Sequence, residues 1–215
     1  MSTQNRYFMK LEIKNISYAY EKNDKKIISD FNLDLEGDER VGLIAPSGYG
    51  KTTLCKILSG YIKPDEGNVF CDGVPITKIK GYSPIQMIWQ QPEFAVNPVL
   101  RMKEVIEEGD DIEDRITEGL GIEKDWLSRF PNELSGGELQ RFNIARALGK
   151  RTKFLICDEI STMLDLITQS QIWNFLLKEV KTRKIGLIAV SHNSELMKLI
   201  CTKQINMLTG EVTEK

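Results

Sequence analysis

Ala45-Pro46-Ser47-Gly48-Tyr49-Gly50-Lys51-Thr52-Thr53 lies between an apolar run, Val41 to Ile44, and a segment with helical spacing at Leu54, Ile57 and Leu58. Buried strand, glycine-containing loop, lysine, hydroxyl and helix form the arrangement that holds a nucleotide phosphate. Gly48 and Gly50 let the backbone wrap closely, so that successive N–H groups point inward. The helix that follows adds the positive end of its dipole. Lys51 is the candidate for the β- and γ-phosphates, and the Thr52 hydroxyl for Mg²⁺. All nine residues, from Ala45 to Thr53, are therefore expected at a nucleotide. The strict pattern opens on glycine where this chain has Ala45, which the turn tolerates if φ stays negative.

Composition narrows the setting. The chain has 215 residues, 41% hydrophobic and 28% charged, with a net charge of −2. These values describe a globular domain with no broad nucleic-acid surface, so no nucleic-acid partner is expected. No run of about 18 apolar residues exists to span a bilayer, and Met1 to Lys10 lacks the apolar stretch of a signal peptide. Cys55, Cys71, Cys157 and Cys201 are far apart, which suggests neither a zinc site nor a disulfide framework. Cys55 and Cys157 sit among apolar neighbours and read as small buried side chains.

Outward from the loop, Leu11, Ile13 and Ile16 alternate with polar residues, as do Phe31, Leu33 and Leu35. Both stretches predict half-buried strands. Gly60 is a candidate helix stop, Val69 to Cys71 a short strand, and Asp72-Gly73 a hairpin turn. Ile85 to Trp89 is an apolar run that delivers Gln90-Gln91-Pro92. The charged stretch Glu93 to Asn132 fits several short helices, with Asn97-Pro98 expected as a helix cap followed by proline at the first helical position. Glu107 to Asp114 is expected as a solvated loop and helix start. Residues 91–137 are taken as a helical lobe inserted into an α/β core of 1–90 and 138–215.

Ser135 and Glu138, in Leu134-Ser135-Gly136-Gly137-Glu138-Leu139-Gln140-Arg141, form a capping box that opens a helix. Phe154 to Cys157 is a buried strand ending in Asp158-Glu159, expected beside the phosphate-loop strand. A helix follows around Gln169 to Lys181, then the strand Ile185 to Val190 ending at Ser191-His192. A helix near Glu195 to Ile200, a strand near Gln204 to Leu208 and the turn Thr209-Gly210 complete the chain. Apolar strands alternating with helices predict an α/β fold with a mostly parallel, helix-flanked sheet. Asp158, at a strand end, is placed to hold Mg²⁺ opposite Thr52.

Leu-Ser-Gly-Gly-Glu followed by Gln140-Arg141, shortly before a strand ending in Asp-Glu, resembles the signature of the ATP-binding cassette (ABC) ATPases. The resemblance runs from about Leu11 to Val212. It implies a P-loop core with an N-terminal antiparallel β region, and ATP with Mg²⁺ as cofactors. It implies further that Glu159 orients or deprotonates the attacking water and that Gln90, with Gln91 as the alternative, contacts Mg²⁺ or that water. His192 would sense the γ-phosphate. Tyr20, with Tyr18 as the alternative, would stack on adenine, and Asp165, in Ser161-Thr162-Met163-Leu164-Asp165, matches the family's D-loop. Ser135, Gly136 and Gly137 would complete the ATP site of a second ABC subunit packed head to tail.

Ala95-Val96-Asn97-Pro98 after Gln90, Arg129-Phe130-Pro131 before the signature, and Gln169-Ser170-Gln171-Ile172 resemble the peptide and nickel importer branch of that family. That likeness implies two transmembrane permease subunits, an extracytoplasmic binding protein, and a peripheral position on the cytoplasmic face of the cell membrane. The same fold also serves non-transport ATPases and subunits of phosphonate-metabolising complexes.

Overall fold

The computed structural model describes residues 9–21 and 25–214. The chain order is β1 (Lys10–Tyr18), β2 (Ile28–Glu36), β3 (Arg40–Ile44), α1 (Lys51–Leu58), β4 (Glu66–Cys71), β5 (Val74–Pro75) and β6 (Ile85–Ile88). Then come α2 (Met102–Glu107), α3 (Asp114–Gly119), α4 (Gly136–Ala147), β7 (Phe154–Asp158), α5 (Leu166–Arg183), β8 (Gly186–Val190), α6 (Ser194–Ile200), β9 (Lys203–Asn206) and β10 (Val212–Glu214).

Two sheets result. β2-β1-β4-β5 is antiparallel, and its alternation is the one the sequence carries: Leu11 pairs with Leu35 and Ile13 with Leu33, all buried on one face. The second sheet has the order β10-β9-β3-β8-β7-β6, parallel except for β10. Its central strands are covered on both faces, so their runs are apolar throughout. Phe154, Ile156, Ile188 and Val190 point into a core shared with α1 and the antiparallel sheet. Leu155, Cys157, Leu187 and Ala189 point the other way, against α4, α5 and α6. A third, smaller core gathers Val96, Met102, Val105, Trp126, Leu139 and Phe142 between α2, the turn at Trp126 and the first half of α4.

Two local expectations need correction. β7 is not beside β3: β8 lies between them. The carboxylates at the end of β7 still reach the phosphate loop because α1 crosses over β7. Asn97-Pro98 opens a single turn, not a helix. The Asn97 side chain accepts from Val99 N–H at 3.2 Å, and α2 starts only after Arg101, whose N–H donates to Glu104 at 2.8 Å. The acidic stretch is, as expected, a loop leading to a helix start at Asp114, and it carries surface ion pairs: Asp110 with Arg151 at 2.6 Å and Asp111 with Lys150 at 2.5 Å. Elsewhere the element limits shift by a few residues: α5 runs past the expected limits at both ends, whereas β9 stops at Asn206 and Met207 to Thr209 form a turn.

Candidate functional site

The loop after β3 turns without straining its first residue: Ala45 is not among the left-handed positions, whereas Gly48 (φ 82°) and Gly50 (φ 77°) are. At Gly50 the glycine is also sterically required, since a Cβ there would lie 2.4 Å from Ile27 Cγ2. Gly50 caps α1, so the first turn of that helix faces a cavity of about 380 Å³. Ser47, Gly48, Gly50, Lys51, Thr52 and Thr53 line it from the loop, with Glu159 and His192 opposite and Tyr20 and Ile27 on the flank. Lys51 is buried, and its Nζ donates to the carbonyls of Ala45 (2.9 Å) and Pro46 (3.0 Å). Tyr49 stands outside, about half exposed. Tyr20 is exposed and its hydroxyl shares a 2.8 Å hydrogen bond with Thr53, while Tyr18 packs edge-on against its ring at 5.4 Å.

Asp158 ends β7 beneath this cavity, only 2% exposed. Burial pushes its carboxyl above the usual range, and a hydrogen bond from Thr52 pulls the other way. Its Oδ1 has no hydrogen-bond partner among the described residues. A buried, unmatched carboxylate oxygen beside a threonine hydroxyl is a hard-oxygen donor set, the chemistry that Mg²⁺ prefers.

The next residue, Glu159, is held in the left-handed region at φ 50°. Its N–H donates to the Val190 carbonyl at 3.0 Å, and its own carbonyl accepts from Thr162 N–H (3.2 Å) and hydroxyl (3.0 Å). Two further groups reach its carboxylate: His192 Nε2 lies 2.7 Å from Oε1, and Gln90 Nε2 donates to Oε2 at 3.3 Å. The structure thus brings Gln90, Glu159 and His192 into one cluster at the cavity edge. It gives no such contact to Gln91.

Ser135, Gly136, Gly137 and Asp165 are not at this cavity. Ser135 caps α4, accepting from Glu138 N–H at 3.3 Å, while Glu138 accepts from Ser135 N–H at 2.7 Å. Space over Gly136 is open, and a Cβ on Gly137 would meet only Leu164 at 3.5 Å. Asp165 caps α5 by accepting from Ile167 and Thr168, both at 3.0 Å, which holds its carboxyl below the usual range.

Sequence reasoning missed the Glu159–His192 contact, the part played by Ile27, and two buried amides on α4, Gln140 and Asn143. The only sequence signal for the amides is their place among Leu139, Phe142 and Ile144, on a helix covered on two sides.

The residues fall into a known pattern. A family profile described as "ABC transporter" matches residues 28–162. The oligopeptide transport ATP-binding protein OppF of Streptococcus mutans is 32% identical over 99% of this chain and 76% of its own length. The nickel import system ATP-binding protein NikE of Staphylococcus aureus is 26% identical over 95% of this chain and 89% of its own. Among solved structures, the dimeric ATP-binding cassette MJ0796 in a post-hydrolysis state with ADP and Pi superposes with a TM-score of 0.80. It is 23% identical and covers 95% of this chain and 98% of that one, a likeness of fold. This chain belongs to the ABC transporter family, whose members hydrolyse ATP.

Proposed function

We propose that this chain is the ATP-hydrolysing subunit of an importer for nickel, a metal chelate or small peptides. It works on the cytoplasmic face of the membrane in a head-to-tail pair with a second cassette, identical or homologous. Two permease subunits complete the assembly and take cargo from an extracytoplasmic binding protein. The observation that carries this reading is the divided site. The phosphate loop, Gln90, Glu159 and His192 gather at one cavity, while Ser135, Gly136 and Gly137 stand away from it, with open space over Gly136. A glycine-rich helix N-terminus is made for an anion, and here the anion belongs to another cassette.

In that assembly Lys51 and the loop N–H groups hold the β- and γ-phosphates, and Thr53 the neighbouring phosphate. Tyr20 offers its ring to the base. Thr52, Asp158 and Gln90 would hold Mg²⁺, which supplies positive charge against the phosphate oxygens when bound. Glu159 orients the attacking water and takes its proton. His192, bonded to Glu159, keeps that carboxylate aimed at the cavity and faces the γ-phosphate, and Asp165 lies at the seam. Residues 91–137 serve as the lobe that carries the signature. The cargo range follows the relatives, whose names include both oligopeptide transport and nickel import.

The test is isolation of the tagged chain from detergent-solubilised membranes. Two permease chains and ATP turnover are expected in the same complex. A chain recovered with ATPase activity but without any membrane protein would overturn the transport reading.

A further inference from the structure

α4 carries two amides, three residues apart, that are almost completely sealed from solvent: Gln140 is 2% and Asn143 1% exposed. A buried amide is unfavourable unless its donors and acceptor are matched. Gln140 is fully matched. Its Nε2 donates to the Trp89 carbonyl and to the Ile160 carbonyl, both at 3.1 Å, and its Oε1 accepts from Asn143 Nδ2 at 3.3 Å. Asn143 Nδ2 also approaches the Trp89 carbonyl, at 3.4 Å.

The identity of these partners matters more than their number. Trp89 is one peptide bond from Gln90, and Ile160 one from Glu159. The side chains of Gln90 and Glu159 meet at 3.3 Å. A single amide therefore clasps the two backbones whose side chains form the pair at the cavity edge. The same helix begins at Ser135, roughly 7.5 Å away along its axis at 1.5 Å per residue. A helix of this length moves as a rod, so a displacement at Ser135 arrives at Gln140.

We propose that Gln140 is a positioning residue that sets the separation of Gln90 from Glu159 and links it to the helix presenting Ser135, Gly136 and Gly137. The inference rests on the ATPase reading given above. A nucleotide held by the neighbouring cassette against Ser135 and the two glycines acts along α4, and Gln140 carries that action to this chain's own hydrolytic pair. Communication between two ATP sites then runs inside each chain, through one side chain. Only an amide of this length serves. Glutamate would set a carboxylate against two carbonyl oxygens, methionine has no donor, and asparagine is one methylene short.

The full chain with its partners provides the test. Gln140→Met is expected to lower kcat about 10- to 100-fold, the scale of displacing a reacting group by on the order of 1 Å. KM, and the Kd of the isolated chain for ATP, should stay within about twofold, because the phosphate loop is untouched. A double-mutant cycle with Gln90→Ala separates positioning from folding. Once Gln90 is gone, Gln140→Met should cost less than about twofold further in kcat. Losses that multiply in the cycle, or a parent-like kcat in Gln140→Met, would overturn the proposal. If Gln140→Met loses its cooperative melting transition, Gln140→Asn is measured in the same cycle and judged by the same outcomes. A parent that binds ATP but never turns it over defeats the ATPase reading and this inference together. An active parent with an inert Gln140→Met defeats the inference alone.

Discussion

Glu159 occupies a left-handed backbone position, which costs a non-glycine residue on the order of 1–3 kcal/mol. Backbone bonds to Val190 and Thr162 hold it there, so the surrounding structure imposes the conformation. The result is a carboxylate aimed at the phosphate loop, not along β7 with Asp158. Glu159→Gln keeps the shape and the bond from His192 but removes the proton acceptor. Turnover should fall about 10²- to 10⁴-fold with ATP affinity of the isolated chain retained. Phosphate release measured beside equilibrium binding checks this, and parent-like turnover would remove Glu159 from the chemistry. At this scale the sequence was readable where chemistry follows an apolar run, as at Asp158-Glu159 and Lys51-Thr52. It was not readable where a contact depends on strand order. Glu159 meets His192 because β7 and β8 are neighbours, with Asp158 opposite Val190, and nothing local to either residue states that. Gln140 was hidden for another reason: a polar side chain on a helix pairs with water unless the helix is covered.

Two helix-start signals of similar appearance had different outcomes. Ser135 with Glu138 opens α4 because both halves of the reciprocal bond form and apolar positions for two cores follow at helical spacing. Asn97-Pro98 closes one turn and stops, since α2 takes its start from Arg101 and Glu104. A cap therefore marks where a helix can begin; burial decides whether it does. The order of strands was likewise beyond reach, because each buried run looks alike and only the packing of α1 over β7 places Thr52 on Asp158. Removing the α4 cap tests this element in both its roles. Ser135→Ala should cost about 0.5–2 kcal/mol, a lowering of Tm by roughly 2–4 °C for each kcal/mol in a chain of this length. ATP affinity of the isolated chain should not change, because Ser135 is not at its own cavity. Calorimetry with a binding titration decides; an affinity loss in the lone chain would place Ser135 in its own site.

Across the whole molecule, the described residues form three apolar cores, and the cysteines divide unevenly among them. Cys55 and Cys71 lie in the core between the sheets, Cys157 and Cys201 in the core beneath α5 and α6, and the smallest core has none. All four are buried, which pushes their thiols up, to about 11 at Cys71 and about 12 at Cys201. A raised thiol pKa keeps the unreactive protonated form at pH 8. An aromatic disulfide reagent should therefore find no reactive thiol in the native chain at that pH and all four after denaturation. Early release of Cys157 or Cys201 alone would show that the two larger cores open separately. The α/β class and its helix-rich middle could be read from periodicity, because each depends on pattern within a segment. The division into cores could not, because it is set by which faces meet. Trp89 touches both α1 and α4. The Trp89 ring packs edge-on against Tyr61 at 5.1 Å and under Lys56 Nζ at 5.2 Å, while its carbonyl is gripped from α4. Trp126 and Trp173 lie inside single cores. Of the three indoles, Trp89 is thus the one held from both α1 and α4, so its emission is the native optical probe of how those two helices sit against each other.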